Sequence, residues 1–186
     1  VLLRKALASL GASTSFHIPN RFTEGYGLNQ EYLAKAKADG VGLVITVDCG
    51  TRSFDPIAWA QENGLDVIVT DHHLSDPERG IPAAAAVVNP NQAGCEYPDK
   101  QLAGVGVALK LAQALIGDGG HPEQMNEFLE IAAIGTVADV MKLTGENRSI
   151  VSLGLRQLTR TRNHGLRALM EISDCTAEMT SLHIGF

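Results

Sequence analysis

The sequence predicts an α/β fold, a three-layer parallel sheet with helices on both faces that is followed by a helical C-terminal portion. Short β-branched runs end abruptly in polar side chains at 44–50 and 67–73. This pattern is typical of buried parallel strands that carry polar groups at their carboxyl ends. The runs alternate with segments of helical pattern, and such alternation implies right-handed crossovers between parallel strands.

The elements of the first half follow one another in a regular order. We predict a helix to about residue 10, a strand over 13–18, a helix over 30–39, a strand over 42–47, a helix over 55–62 and a strand over 66–70. Asp55 and Pro56 form a favourable helix start, because the carboxylate caps free N–H groups and proline fits the first helical position. Gly40 and Gly64 are natural helix ends.

After residue 73 the pattern changes from alternation to helices. We predict a polar loop over 75–80, a short strand over 85–88, a turn over 89–91, and helices over 105–116, 123–137, 147–159 and 166–172. We therefore divide the chain into an α/β domain over 1–145 and a helical extension over 146–186.

Length and composition restrict the class of protein. A chain of 186 residues with 45% hydrophobic content can bury one substantial core. No apolar run approaches the roughly 20 residues that span a bilayer, so we expect no membrane association. The three cysteines are odd in number and lack CxxC spacing, which argues against a disulfide framework or a structural zinc site and favours the cytoplasm.

The net charge of −6 argues weakly against a nucleic-acid partner. Bound divalent cations would neutralise several carboxylates and weaken this objection. The basic residues are also unevenly distributed, and five arginines lie in the last third of the chain: Arg148, Arg156, Arg160, Arg162 and Arg167.

Candidate metal ligands follow two successive strands of the predicted sheet. Asp48 follows the first, and Asp71, His72 and His73 follow the second. An aspartate after a strand often only caps the next helix, but open α/β sheets place their ligands at these carboxyl ends. Aspartate and histidine suit Mn²⁺ or Mg²⁺ better than a thiolate-binding metal. Asp139, which ends an apolar helix, is a third candidate ligand, although such a residue alone is more often a solvated helix end.

Four short motifs together resemble the DHH phosphoesterase superfamily. They are Asp-Cys-Gly at 48–50, Asp-His-His at 71–73, Gly-Val-Gly-Val-Ala at 104–108 and the run from Gly135 to Asp139. The segment 19–28 resembles the RecJ branch of that superfamily, the single-strand-specific 5′ to 3′ DNA exonucleases. The resemblance covers nearly the whole chain, and the motifs are specific in combination although each is weak alone.

The resemblance implies a two-manganese phosphodiesterase, with Mg²⁺ as an alternative metal, that acts in DNA repair and recombination and releases 5′-mononucleotides. It implies that Asp48 bridges both metals and that His72 and Asp139 bind the second metal. It also implies that Asp71 orients an imidazole or a backbone group and that His73 faces the scissile phosphate, although a purely local role for His73 stays open. Metals about 3.5 to 4 Å apart can activate water for in-line attack on phosphorus.

The same resemblance suggests where single-stranded DNA binds. Gly104 and Gly106 open a helix whose N–H groups can face a phosphate, although such glycines also allow close packing. Arg21 and Tyr26 suit contact with the DNA backbone and stacking on a base or sugar, and Arg52 could reach a phosphate. An ordered surface loop and a solvated side chain are the plain alternatives. Protein partners would be a single-strand binding protein or a helicase.

One departure from the family pattern affects the predicted activity. The first motif of the family, two aspartates in D-x-D spacing, should lie just upstream of Val1 and would supply ligands to the first metal. We therefore expect a fragment of an enzyme that is weak or inactive alone and that continues past Phe186 into a second domain.

Two other functions stay open. The first is hydrolysis of short oligoribonucleotides, cyclic dinucleotides or pyrophosphate by an enzyme of the same superfamily, which the loop over 20–27 disfavours. The second is a catalytically silent replication scaffold. The intact Asp48, His72, His73 and Asp139 argue against a scaffold, because clustered polar groups at buried strand ends are costly without a ligand.

Overall fold

A computed structural model describes residues 1–117, 122–175 and 179–185. These residues form eight helices and three strands: α1 (Leu2–Ser9), α2 (Gln30–Ala38), β1 (Leu43–Val47), α3 (Phe54–Glu62), β2 (Asp66–Thr70), β3 (Ala86–Val88), α4 (Gly104–Ile116), α5 (Pro122–Ala138), α6 (Gly145–Leu158), α7 (His164–Ile172) and α8 (Ser181–Gly185). The predicted α/β class and the helical C-terminal portion are confirmed.

The chain divides into two compact units. Phe16–Lys100 contains all three strands, and we call it the sheet unit. Val1–Ser15 and Gln101–Phe186 together form the second, which we call the helical unit. The division at residue 145 that the sequence suggested stays a prediction.

The sheet unit is built on three parallel strands in the order β1-β2-β3. The register pairs Val47 with Thr70 and Thr70 with Val88, so the three strands end at the same edge of the sheet. We call this edge, with the residues that follow the strands at 48–51, 71–73 and 89–91, the polar edge. The predicted parallel sheet is confirmed.

An apolar core forms between β2 and the helices α2 and α3. Six buried residues make up this core: Leu33, Ile57, Ala60, Leu65, Val67 and Val69. The side chain of Asn29 caps α2 by accepting a hydrogen bond from Tyr32 N at 2.8 Å. In α3, however, Ser53 is the N-cap and Asp55 lies in the first turn, where its charge still complements the helix dipole. The prediction that Asp55 caps this helix was wrong by two residues.

The strand predicted over 13–18 does not form. The segment is extended, but it pairs with no strand among the residues that the structure describes. Phe16 is 67% exposed and Ile18 is 78% exposed, so the segment buries no apolar face. A β-branched and aromatic pattern is a weak signal by itself, because strand propensity mainly reflects packing against neighbouring strands.

The helical unit depends on close helix contacts at small residues. In this unit α1 packs against α4 and α5, and α5 packs against α4 and α6. A Cβ added at Gly135 would lie 2.8 Å from the side chain of Val105, and one added at Gly154 would lie 2.3 Å from Leu129 O. These glycines therefore let α5 approach both of its neighbours. None of the described helices is long and apolar enough to cross a bilayer.

Candidate metal centre

The polar edge begins with a strained residue. Asp48, the first residue after β1, has a φ of 65°, in the left-handed region that residues other than glycine rarely adopt. Its N–H still donates to Thr70 O at 3.0 Å, which extends the β1–β2 pairing by one residue. Such strain costs about 1–3 kcal/mol and is concentrated at active sites and ligand sites.

The turn after Asp48 requires glycine. Gly50 has a φ of 111°, and a Cβ there would lie 2.9 Å from Thr46 Oγ1 and 3.1 Å from Val69 Cγ1. The hydroxyl of Thr46 in turn donates to Cys49 O at 2.7 Å. The residues after β1 are therefore held against the buried face of β2, and this fixes where the carboxylate of Asp48 can lie.

Four potential ligands meet at the polar edge. Asp48, Asp71, His72 and His73 each offer one ligand atom, and these atoms lie within 4.8 Å of one another. The closest approach that involves Asp48 is between its Oδ1 and His72 Nε2, at 3.0 Å. Asp48 Oδ1 is buried and has no hydrogen-bond partner among the described residues. A carboxylate oxygen and an imidazole nitrogen that face each other in this way suit a shared cation.

Asp71 organises the backbone around this cluster. Its side chain is buried, and Oδ2 accepts a hydrogen bond from Thr51 N at 2.9 Å. Oδ1 accepts from His72 N at 2.8 Å and from His73 N at 3.2 Å. Burial alone would raise the pKa of Asp71, but the hydrogen bonds from His73 and Thr51 outweigh it and lower the pKa. The carboxylate is therefore ionised at neutral pH.

His73 is held by Asp71 and faces solvent. Its Nδ1 lies 2.7 Å from Asp71 Oδ1, and its side chain is 48% exposed. An ionised carboxylate accepts a proton-bearing nitrogen, so Nδ1 donates and Nε2 is left for a substrate or a metal. The ring of His72 packs against that of His73 edge-on, with 4.6 Å between the centroids.

The donor set fits a hard or borderline cation. Burial, followed by the negative charges of Asp71 and Asp48, raises the pKa of the Cys49 thiol to about 11. Cys49 is therefore a neutral thiol at physiological pH and a poor metal ligand. The remaining donors are carboxylate oxygen and imidazole nitrogen, which suit Mn²⁺ or Mg²⁺ better than a thiolate-selective metal.

Two of the predicted DNA-binding residues lie beside the cluster. The hydroxyl of Tyr26 donates to Asp48 O at 3.4 Å, and the guanidinium of Arg21 lies 5.5 Å from the centre of the Tyr26 ring. Burial, then the negative charges of Asp48 and Asp71, raises the pKa of Tyr26. The structure therefore places Tyr26 beside the candidate ligand Asp48 and Arg21 beside Tyr26, while their contact with DNA stays a prediction.

The guanidinium of Arg52 is hydrogen-bonded to backbone carbonyls of the loop after the histidine pair. Its Nε donates to Leu74 O at 3.1 Å, and its Nη2 donates to Ser75 O at 3.4 Å. Arg52 is nevertheless an exposed residue. A phosphate contact by Arg52 stays a prediction.

Three predicted site residues belong to the helical unit. Asp139 is exposed just after α5, where its N–H donates to Gly135 O at 3.0 Å. Gly104 and Gly106 are buried in the first turn of α4, and a Cβ added at Gly106 would lie 3.2 Å from Leu102. The roles of Asp139 as a metal ligand and of the two glycines at a phosphate stay predictions.

Sequence reasoning missed three residues of the polar edge. Thr51 donates its N–H to Asp71, and Asn89 and Asn91 donate side-chain N–H groups to the carbonyls of the histidine pair. The sequence pattern over 89–91 predicts only a turn. A usable signal was present, since Asn89 follows β3 directly, as Asp48 follows β1 and Asp71 follows β2.

Comparison with known proteins adds independent observations. A family model described as "DHH family, N-terminal domain" matches residues 1–136. The chain is 49% identical over 167 residues to the single-stranded-DNA-specific exonuclease RecJ of Bacillus subtilis (strain 168), and this match covers 90% of the chain and 20% of that relative.

Two solved structures are similar in sequence and fold over 100% of the chain. The crystal structure of exonuclease RecJ bound to manganese is 36% identical, with a TM-score of 0.86 and 46% of its own chain covered. That of RecJ from Thermus thermophilus in complex with Mn²⁺ is 32% identical, with a TM-score of 0.79 and 26% of its chain covered. The chain thus spans less than half the length of each of these three proteins.

Proposed function

The chain belongs to the DHH family, and on that premise we propose that it is the catalytic part of a metal-dependent phosphodiesterase that removes 5′-mononucleotides from single-stranded DNA. The observation that carries the proposal is the close pair of Asp48 Oδ1 and His72 Nε2 at the polar edge. The names of the relatives, single-stranded-DNA-specific exonucleases, and their manganese-bound structures support the substrate and the metal.

The residues that would hold the metal are Asp48 and His72, with Asp139 as the predicted third ligand. Mn²⁺ is the proposed ion and Mg²⁺ is the alternative, because a carboxylate and a neutral imidazole suit both better than a thiolate-binding metal. When bound, such a cation stabilises charge on the reacting phosphate and lowers the pKa of water. The ligands of a second ion would come from the D-x-D motif that the family carries on its first strand.

His73 would bind the scissile phosphate through Nε2. Asp71 remains ionised and accepts the Nδ1–H of the ring at 2.7 Å, so the ring is oriented with Nε2 available to a phosphate. A proton held at Nε2 can then donate to a phosphate oxygen on which negative charge develops. Asp71 does not take up that proton, because its lowered pKa keeps it a carboxylate.

Single-stranded DNA would approach along the segment that contains Arg21 and Tyr26. Phe22, between them, is 98% exposed, and an exposed aromatic ring is a surface on which an unpaired base can stack. Arg21 supplies positive charge next to the Tyr26 ring. Arg52 and the N-terminus of α4, with Gly104 and Gly106, are proposed phosphate contacts.

The proposed activity places the protein in DNA repair and recombination in the cytoplasm. Unpaired DNA ends are the substrate, so a single-strand binding protein or a helicase is the proposed protein partner. Both would deliver or expose such ends.

The test measures Mn²⁺-dependent release of mononucleotides from 5′-labelled single-stranded DNA. It uses the chain within a polypeptide of the length of its RecJ relatives, because the chain covers only 20% of the Bacillus subtilis relative. Asp48→Ala should reduce the rate about 1,000-fold, since metal catalysis supplies several kcal/mol and each 1.36 kcal/mol is tenfold.

The matched control is Asp66→Ala. Asp66 is an exposed aspartate at the opposite end of β2, and its loss should leave the rate within about twofold. An unchanged rate in Asp48→Ala would contradict the proposed mechanism. Equal hydrolysis of duplex and single-stranded DNA would contradict the proposed substrate.

A further inference from the structure

Both peptide carbonyls of the histidine pair are hydrogen-bonded by asparagine side chains. Asn91 Nδ2 donates to His72 O at 2.6 Å, and Asn89 Nδ2 donates to His73 O at 2.8 Å. The N–H groups of the same two histidines donate to Asp71 Oδ1. The backbone of each histidine is therefore held on both sides.

The whole side-chain amide of Asn89 takes part in this arrangement. It is 2% exposed, and Nδ2 also donates to Thr51 Oγ1 at 2.9 Å while Oδ1 accepts from Asn91 N at 2.8 Å. Both N–H donors and the carbonyl of this amide thus have partners, as buried polar groups require. An aspartate has the same shape but lacks the donors, so it would place an acceptor against His73 O.

Asn91 is fixed in turn by Lys100. Its Nδ2 also donates to Lys100 O at 3.2 Å, and Lys100 Nζ donates to Pro90 O at 2.7 Å and to Cys95 O at 2.6 Å. The turn after β3 is therefore held by several hydrogen bonds that require no ligand. Thr51 connects it to the residues after β1 as well, because its N–H binds Asp71 and its hydroxyl binds Asn89.

We infer that Asn89 and Asn91 are positioning residues, which hold His72 and His73 so that the two imidazoles leave the backbone in the direction needed to bind Mn²⁺ and the scissile phosphate. The inference rests on the proposed function and extends it to the third strand of the sheet. Groups that orient metal ligands in this way typically affect metal affinity about 10- to 100-fold.

A merely structural role predicts a different result. In that case the asparagines only close the turn after β3, and any side-chain amide of this turn would matter equally. Gln92 provides the matched control, because it is half-buried in the same turn and its Nε2 donates to Val87 O at 3.0 Å. It uses the same chemistry on a carbonyl outside the histidine pair.

The first experiment records the histidine ring signals of the full, metal-free chain by heteronuclear NMR. His72→Gln and His73→Gln assign the two rings among the six histidines of the chain. Asn91→Ala should shift or broaden the His72 ring signals, and Gln92→Ala should leave them in place. Asn89→Ala should affect the His73 ring, but it also removes a fully buried amide, so the half-buried Asn91 carries the test.

The second experiment titrates Mn²⁺ alone, by calorimetry, into the same variants made within a polypeptide of the length of the RecJ relatives. We expect Asn91→Ala to weaken Mn²⁺ binding about 10-fold or more, and Gln92→Ala to change it less than about 3-fold. Ring signals and Mn²⁺ affinities that are the same in the two variants would overturn the inference. A wild-type chain that binds no Mn²⁺ would count against the proposed function, and the metal-free ring signals would still decide the role of Asn91.

Discussion

The two units of the chain use their buried polar groups in different ways. In the sheet unit, the carboxylate of Asp71 and the amide of Asn89 lie directly after neighbouring strands, beside a strained Asp48. In the helical unit, the buried carboxylate of Glu130 accepts a hydrogen bond at 2.5 Å from the hydroxyl of Thr161, which lies 31 residues away in the sequence. The sheet unit gathers polar groups where they can share a ligand, whereas Glu130 belongs to no such cluster of potential ligands among the described residues.

Glycine shows the same contrast between the units. Gly50, in the sheet unit, has a positive φ that shapes the turn next to Asp48. Gly154, in the helical unit, is an ordinary helical residue that leaves room for the backbone of α5. Gly50 therefore allows the backbone conformation of the candidate site, whereas Gly154 allows two helices to pack closely.

The strongest test of the comparison is Asp71→Asn. An asparagine cannot accept all the hydrogen bonds that Asp71 accepts from Thr51, His72 and His73, and its NH₂ group would face N–H donors. Unsatisfied buried groups and lost bonds to a charged partner predict a loss of about 3 kcal/mol in the free energy of unfolding. Urea unfolding of the metal-free chain measures this loss.

Asp66→Asn is the control for this variant, because Asp66 is exposed at the other end of the same strand. Its free energy of unfolding should stay within about 0.5 kcal/mol of wild type. If Asp71→Asn were equally harmless, the polar edge would not be a connected network, and the contrast with the helical unit would disappear.

Gly154→Ala tests the helical side of the comparison. The added Cβ would lie 2.3 Å from Leu129 O and 2.5 Å from Ala133 Cβ, so α5 and α6 would have to separate. Overpacking of this kind predicts a loss of about 1–3 kcal/mol in the free energy of unfolding. Thermal and urea unfolding both report it.

The matched control is Gly165→Ala in α7. A Cβ there would meet only Asn163 Oδ1 at 3.4 Å, which is ordinary contact, and alanine favours a helix over glycine by up to about 1 kcal/mol. We expect Gly165→Ala to be neutral or stabilising. A destabilisation equal to that of Gly154→Ala would mean that close helix approach is not what these glycines provide.

Most of the fold could be predicted from the sequence, with one segment as the exception. The parallel strands β1 and β2 and most of the helices were predictable, because runs such as 44–47 and 67–70 have the apolar, β-branched pattern that is typical of parallel strands. Of the two strands, β2 is largely buried, whereas Leu43 and Val47 at the ends of β1 are exposed. The segment over 13–18 has a similar composition but no partner strand among the described residues. Composition indicates that a segment can be a strand, whereas pairing decides whether it becomes one.

The candidate site was predictable where it depends on strand ends. Asp48, Asp71, His72 and His73 were identified from their positions after β-branched runs, and the structure brings their ligand atoms together. Asn89 was missed because the Asn-Pro-Asn run that follows the strand predicted over 85–88 was interpreted only as a turn. The strain at Asp48 could not be predicted either, since a φ of 65° results from the tertiary contacts of the turn.

In the helical unit, the most sensitive test is Glu130→Gln, which probes the buried carboxylate of Glu130. Burial raises the pKa of Glu130, the hydrogen bond from Thr161 partly offsets the rise, and the charge of Glu127 adds to it. The folded state therefore binds the proton more tightly than the unfolded state. The stability that this group contributes is complete below the ordinary pKa of glutamate and is lost as the pH rises through the raised value.

Glutamine stays neutral throughout, and its carbonyl can still accept the hydrogen bond from Thr161. We expect Glu130→Gln to unfold like wild type near pH 4 and at a higher temperature than wild type at pH 7, with a difference that grows steadily between them. Glu123→Gln is the control on the same helix, because Glu123 is exposed and pairs only with exposed Arg162 among the contacts described. A melting difference for Glu130→Gln that does not change with pH would show that Glu130 is ionised in the fold at no cost. The helical unit would then contain a buried charge, as the polar edge does. The two units would differ only in where their buried charges lie.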